Sequence, residues 1–419
     1  MTALFIFAIL LGFYVAWNIG ANDVANSVGT AVGSGALTLK QAMLIAAIFE
    51  FAGSFLLGSN VSETLESGIV TRDLLLNSPS DYLIGMLGAL LATGVWLQLA
   101  SYFGWPVSTT HSIIGAILGF GIIAGDMKSV AWMNMASIAL SWVVSPLFGG
   151  LGAYMIFSFI RRKILGQHRP IQAAIRYTPW IAFMIFFVLM LIIFFDGLPG
   201  LDFQLAVPWL FILASLIGGV AAWIAYFLVR HIAVSVTSDG YAEVERIFMS
   251  LQVIVACFMA FAHGSNDVAN VIGPLSGIIN VLQGESITGV RSISPWLLVL
   301  GGSGIVAGLA TWGWRVIETI GKKITQLTPS RGFAAGFGAT ITVMLASKLG
   351  LPISTTHVLV GAVLGVGFAR GIGAINLNTV RDIFISWLVT VPLSAGLSIL
   401  FFYLLSLISD IELVISALA

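Results

Sequence analysis

Charge is what this sequence has least of. Asp, Glu, Lys and Arg make up 9% of its 419 residues, against about a quarter in a soluble domain. With 58% hydrophobic residues and a mean hydropathy of +1.04, that shortage excludes a water-soluble globular chain and implies an integral membrane protein. The net charge is +0, so bulk charge points to no nucleic acid and no acidic partner. There is a single cysteine, Cys257, in an apolar run. A disulfide framework is therefore excluded, and a small buried hydrophobe is the plain reading of that residue. No Lys or Arg precedes Lys40. A cleaved signal peptide with a basic start is not expected, and the N-terminus is expected outside the cytoplasm. The chain also lacks an ATP-binding P-loop, so coupling to ATP within it is not expected.

What is present is a series of apolar runs, near 3–19, 42–58, 83–101, 106–125, 132–158, 180–196, 206–229, 247–263, 295–314, 333–347, 352–369 and 383–408. They are continuous rather than alternating, which implies helices and not a barrel. Several are shorter than the roughly 20 residues needed to cross the hydrocarbon core, notably those that begin at Pro106 and Pro352. The expected fold is an all-α integral membrane protein of about 12 transmembrane or re-entrant segments, with broken helices at the midplane. The stretch from Arg161 to Arg176 carries Arg161, Arg162, Lys163, Arg169 and Arg176 and no acid. It is expected in the cytoplasm. Arg230 to Arg246 would return to the same side, although Asp239, Glu243 and Glu245 dilute that signal.

Two motifs recur in the same order. Residues 20 to 26 read Gly-Ala-Asn-Asp-Val-Ala-Asn, and residues 264 to 270 read Gly-Ser-Asn-Asp-Val-Ala-Asn. Pro106-Val107-Ser108-Thr109-Thr110-His111 is followed at nearly the same offset by Pro352-Ile353-Ser354-Thr355-Thr356-His357. The chain is therefore an internal duplication: a first membrane repeat over 1–160, a basic loop with a two-helix insert over 161–246, and a second repeat over 247–419. An even number of crossings in the insert and an odd number in each repeat would make the repeats inverted.

If the first motif is helical, Asn22 and Asn26 share a face with Asp23 beside them, and Asn266, Asp267 and Asn270 repeat the arrangement. A carboxylate with amide carbonyls is an oxygen cage for a small hard cation. Gly20, Gly29, Gly33 and Gly35 would let the backbone leave the helix there. The plain alternative is that Asp23 caps a helix in an exterior loop; duplication in apolar surroundings favours function. In the second motif Pro suits a first helical turn and Ser or Thr an N-cap. A helix N-terminus with hydroxyl donors is an anion site that needs no Lys or Arg. Ser108, Thr109, Thr110, Ser354, Thr355 and Thr356 are its candidates, with ordinary capping as the plain alternative. An anion held beside Asp23 and Asp267 would be repelled unless cations lay between them, so cotransport with sodium or protons is expected. Phosphate at neutral pH still has a proton to donate to a carboxylate and sulfate has none, so the chemistry leans to phosphate.

Other groups are single. His111 and His357 would relay protons, bond the anion or simply bond a carbonyl. His263 precedes only the second motif, where the first has Ile19, and is set aside. Glu50, a lone acid in an apolar run, is a transport candidate by default; its plain reading is an acid facing a wet vestibule. Glu63 and Glu318 match across the repeats and are expected at solvated helix ends. Gln98 would line a path or bond a neighbouring helix, and Lys348 would snorkel to the interface.

At these residues the chain resembles the inorganic phosphate transporter (PiT) family, and a bacterial member in particular. The resemblance rests on the two paired motifs and on Thr328-Pro329-Ser330-Arg331-Gly332-Phe333, and covers nearly the whole chain. It implies a carrier with inverted repeats in the cell's inner membrane that imports phosphate with sodium or protons. The family's substrate and ion residues would fall on Asn22, Asp23, Asn26, Ser108, Thr109 and Thr110 and on their second-repeat counterparts. Sodium, where it is the coupling ion, would sit at the Asn and Asp residues, and Glu50 matches a family acid important for transport. No cofactor is implied, and the partners are phosphate, the coupling ion and the lipid bilayer; a homodimer is one option. One departure is Gly336, where the family usually carries Glu. Its loss bears on stoichiometry, coupling or substrate. Some relatives are sulfate permeases, so a sulfate permease of the same fold is one alternative. From other classes, an anion channel would need no coupling ion, which the paired Asp residues disfavour. A membrane enzyme would need a metal cluster or nucleophile–base pair, and neither stands out.

Overall fold

The computed structural model describes residues 2–71, 74, 76, 78–196, 206–234, 240–283, 293–314, 316–317, 326–371, 373 and 375–418. Among them the architecture is helical, with no strand and one isolated bridge between Val70 and Val130. In chain order the helices are α1 (Thr2–Gly33), α2 (Leu39–Leu57), α3 (Ser59–Ser67), α4 (Pro79–Phe103), α5 (Thr109–Gly125), α6 (Trp132–Ile160) and α7 (Pro170–Asp196). They continue with α8 (Val207–Val234), α9 (Gly240–Asp267), α10 (Ala269–Leu282), α11 (Pro295–Thr311), α12 (Pro329–Lys348), α13 (Thr355–Arg370) and α14 (Leu377–Leu418). Eight helical stretches are long and apolar enough to cross a membrane, Gly240–Leu282 counting as one of them. α5 and α11 have 17 residues and α13 has 16, fewer than the roughly 20 that span. Glu318, Asp239 and the side chain of Glu63 lie outside the described residues.

Local chemistry sets the helix starts. Thr38 and Gln41 form a capping box at α2, and Pro79, Pro295 and Pro329 sit in first turns, where a missing N–H costs nothing. Pro106 and Pro352 differ from expectation. α5 and α13 begin three residues later, at Thr109 and Thr355, with Ser108 and Ser354 as N-caps. Each Ser Oγ accepts the backbone N–H of the motif histidine at 3.2 Å, satisfying a donor the helix leaves open. The Pro-Val and Pro-Ile pairs ahead of them stay outside the helix. The chain enters each pair through a left-handed turn, at Gly104 (φ 68) and Gly350 (φ 64), a conformation that favours glycine.

The glycines of the first motif do not unwind it: α1 runs unbroken from Thr2 to Gly33, and of those four only Gly35 takes a positive φ. The second copy does break, at Val268 between α9 and α10. Glycine is used instead for close approach. A Cβ on Gly20 would lie 1.9 Å from the carbonyl oxygen of Ile305, and one on Gly264 would lie 2.1 Å from that of Glu50. Thus α1 packs backbone to backbone on α11, and α9 does so on α2. The exchange continues outward: α5 packs on α14 and α13 on α6. α7 and α8 pack on each other. Two apolar cores result. The first half of α1 (Ala8 to Ile19) and α10 belong to one, and the second half (Val24 to Ala31) and α9 to the other. Both copies of the Asn-Asp motif therefore fall on the seam where the two cores meet.

Candidate functional site

At the seam each Asn-Asp motif is bonded first to its own repeat. Asn22 Nδ2 donates to Ser101 Oγ and to the Trp105 carbonyl, both at 3.2 Å. Asn266 Nδ2 donates to the matching Ser347 Oγ at 3.0 Å and the Leu351 carbonyl at 3.4 Å. These bonds tie the motif to the turn that precedes the Pro motif. The Thr109 hydroxyl donates to Asp23 Oδ2, and that of Thr355 to Asp267 Oδ2 at 3.1 Å.

The third residue of each motif crosses to the other repeat. Asn26 Nδ2 donates to Thr356 Oγ1 at 2.8 Å and Thr355 Oγ1 at 3.2 Å, and Asn270 Nδ2 donates to Thr110 Oγ1 at 3.3 Å. The Pro segments are crossed in the same way. Thr110 donates to the Ile353 carbonyl at 3.0 Å and Thr356 to the Val107 carbonyl at 3.3 Å. The N-termini of α5 and α13, with their partial positive charge, thus meet at the centre. All twelve Asn, Asp, Ser and Thr candidates converge there, and each is at most 2% exposed.

Their free atoms define the chemistry. Asn22 Oδ1, Asn26 Oδ1, Asn266 Oδ1 and Asp267 Oδ1 are buried acceptors with no hydrogen-bond donor among the described residues. Buried oxygens of this kind normally have a partner, and hard cations take oxygen ligands. One ligand atom from each of Asp23, Asp267 and His263 lies within 4.8 Å of the others, so the acids of the two repeats face each other. The division into a cation motif and an anion motif is less clean than the sequence suggests, because Thr109 and Thr355 each spend a hydroxyl on an aspartate.

Glu50 is not in a wet vestibule; it is fully buried. Its Oε1 accepts the Ser27 hydroxyl at 2.6 Å and lies 3.2 Å from His263 Nδ1. His263 Nε2 lies 3.0 Å from Asp267 Oδ2. The histidine set aside on sequence therefore bridges two acids, and the packing explains the asymmetry. Gly20 meets Ile305 and Gly308 meets Trp17 across α1 and α11, while Gly264 meets Glu50 and Gly53 meets Phe261 across α2 and α9. Glu50 thus corresponds to Ile305, and His263 to Ile19. One side of the seam carries an acid facing a histidine where the other carries two buried isoleucines. The sequence signal that could have found His263 is its spacing of four from Asp267 on a helix.

His111 and His357 lie behind the threonines, with ring centroids 4.2 Å apart. Each also packs on a tryptophan, Trp142 at 3.9 Å and Trp387 at 3.5 Å. Gln98 accepts the Tyr14 hydroxyl at 2.5 Å and so joins α4 to α1. Lys348 lies over the Phe195 ring at 4.4 Å, a cation–π contact. A Cβ on Gly336 would meet Val255 at 3.1 Å and the Thr30 hydroxyl at 3.7 Å. That position therefore faces α1 one turn beyond Asn26.

The profile of the phosphate transporter family matches residues 19–398 of this chain. A Chlamydia pneumoniae protein described as a phosphate permease is 51% identical, over 97% of this chain and 99% of its own. The chloroplastic inorganic phosphate transporter 2-1 of Arabidopsis thaliana is 45% identical, over 94% of this chain and 70% of its own. Among solved structures, one titled "The sodium-dependent phosphate transporter" superposes with a TM-score of 0.90 at 41% identity, covering 97% of this chain and all of that one.

Proposed function

Because the chain belongs to the phosphate transporter family, we propose that this multi-pass membrane protein imports inorganic phosphate across a bacterial inner membrane by cation symport, with sodium favoured over protons as the coupling ion. The carrying observation is the pair Asp23 and Asp267, buried and within 4.8 Å together with His263. Two carboxylates this close in a medium of low dielectric repel strongly. A cation beside them relieves that repulsion, and the neighbouring amide oxygens supply further ligands. The likeness to a structure named for sodium dependence supports sodium.

In this reading Asn22, Asp23, Asn26, Asn266, Asp267 and Asn270 take the cations. Ser108, Thr109, Thr110, Ser354, Thr355 and Thr356, with the first-turn N–H groups of α5 and α13, take the phosphate. The anion needs no fixed positive side chain, because the helix ends and the cations supply the charge. Cation binding then precedes anion binding, since phosphate would otherwise meet two bare carboxylates. The twelve side chains are at most 2% exposed, which suits alternating access by two inverted repeats moving about a fixed centre. Glu50 and His263 hold Asp267 in place. The family's usual carboxylate is missing at Gly336, so stoichiometry is the property in which this chain is expected to differ.

The test is uptake of labelled phosphate into proteoliposomes under separate sodium and proton gradients, with excess unlabelled sulfate. Concentrative uptake driven by sodium and resistant to sulfate is the expected result. Uptake driven only by protons moves the ion assignment, block by sulfate moves the substrate, and no uptake under either gradient overturns the carrier reading.

A further inference from the structure

Beyond the buried centre, the seam between the repeats opens into a cavity of about 930 Å³, at the upper end of the range for small-molecule sites. Its walls come from α6, α13 and α14, and its floor from His111 and His357 with their partners Trp142 and Trp387. The wall side chains are apolar and face outward: Val143 is 61% exposed, Leu147 66% and Leu388 77%. In a membrane chain such a face meets acyl chains. Along α6 the cavity runs from Ala139 to Tyr154, about 22 Å at the helical rise, which exceeds the roughly 15 Å depth of one leaflet's chains.

Tyr154 also lines a second, smaller depression of about 350 Å³, together with Ser158, Arg162 and Lys163. Arg162 and Lys163 are exposed and have no ion-pair or hydrogen-bond partner for their side chains among the described residues. Arg161, beside them, is already committed to the Ala369 carbonyl. An apolar trough that ends at two unpartnered cations, on the side the basic run marks as cytoplasmic, has the polarity of one inner-leaflet lipid. We propose that this trough is a binding site for an anionic phospholipid, its headgroup on Arg162 and Lys163 and one acyl chain in the cavity against the His111–His357 floor. Because those histidines directly follow Thr110 and Thr356, the chain tip rests one residue from the proposed anion site, and lipid occupancy acts on transport through it.

The test is native mass spectrometry of the purified full chain titrated with phosphatidylglycerol or phosphatidylcholine in mixed micelles. Its readout does not depend on which anion is carried. The wild type is expected to retain one phosphatidylglycerol in preference to phosphatidylcholine. Arg162→Ala with Lys163→Ala should weaken that retention on the order of thirtyfold, the effect of two basic contacts. Leu147→Trp, which fills the trough and leaves both cations in place, should also lose it. Excess inorganic phosphate should leave retention unchanged. Equal retention of the two lipids, equal retention by both variants, displacement by inorganic phosphate, or a lipid-free dimer covering this face would each overturn the proposal.

Discussion

Each aspartate at the seam is held by a threonine of its own repeat and lies near the other aspartate, so its charge has no substitute in the site. Asp23→Asn and Asp267→Asn are each expected to abolish gradient-driven uptake while the protein still inserts and elutes as a single species. Uptake assays beside size-exclusion profiles check this, and normal transport by both variants would remove the ion role. The Glu50–His263 pair makes a different prediction. Removing one partner of a buried polar pair leaves the other short of a partner and costs about 1–3 kcal/mol, whereas replacing both with apolar residues of similar shape is often nearly neutral. Glu50→Ile alone or His263→Ile alone should therefore lower unfolding stability in detergent by about that amount. The double variant copies Ile305 and Ile19 across the seam and should recover most of the loss. Recovered stability without recovered uptake would separate positioning of Asp267 from mere packing.

Among the helices, glycine decides which elements can touch. A Cβ on Gly20 would fall 1.9 Å from the Ile305 carbonyl oxygen, and one on Gly308 1.8 Å from that of Trp17. Neither contact can relax through a side chain, because the opposing atoms are backbone. Gly20→Leu should push α1 off α11 and abolish recovery of folded protein. Gly219→Leu on α8, where nothing lies within 4 Å, should leave yield and thermal stability within error. Expression with fluorescence-detected size exclusion compares them directly, and equal behaviour would refute the close-approach argument. The short helices α5 and α13 carry the same logic in their caps. Ser108→Ala removes the oxygen that accepts the His111 N–H and should cost about 1 kcal/mol, visible as a lower melting temperature.

For the whole molecule, the proposed use of the buried Asn22, Asn26, Asn266 and Asp267 oxygens as cation ligands predicts that the coupling cation stabilises the fold. A ligand that binds only the folded state adds RT ln(1 + [L]/Kd), about 2.7 kcal/mol at a hundredfold excess over Kd. Sodium, and not choline at equal ionic strength, should raise the melting temperature in a saturable way. Asp23→Asn with Asp267→Asn should remove the rise. A shift of equal size with choline would assign the effect to ionic strength instead of a site.

Composition alone determined the membrane class, because so apolar a chain cannot be solvated by water. The repeated motifs pointed to a duplication and picked out the polar residues that the fold brings together at the seam, because a polar group repeated in an apolar helix has few bland explanations. Helix starts were legible where a cap marks them: Ser108 and Ser354 cap as their chemistry dictates, with Pro106 and Pro352 left outside the helix, whereas α7, α9 and α14 begin well ahead of their apolar runs, where no such signal stands. What the tertiary structure decided is which groups face each other. That Asn26 reaches Thr356, that Asp23 and Asp267 share one site, and that Glu50 meets His263 all depend on α1 and α2 packing on helices of the other repeat, contacts more than 200 residues apart in sequence. Those pairings follow from backbone approach at a few glycines. Local sequence marks a glycine as permissive and does not name the helix that will come close, so the asymmetry between the Glu50–His263 and Ile305–Ile19 sides of the seam became readable only in three dimensions.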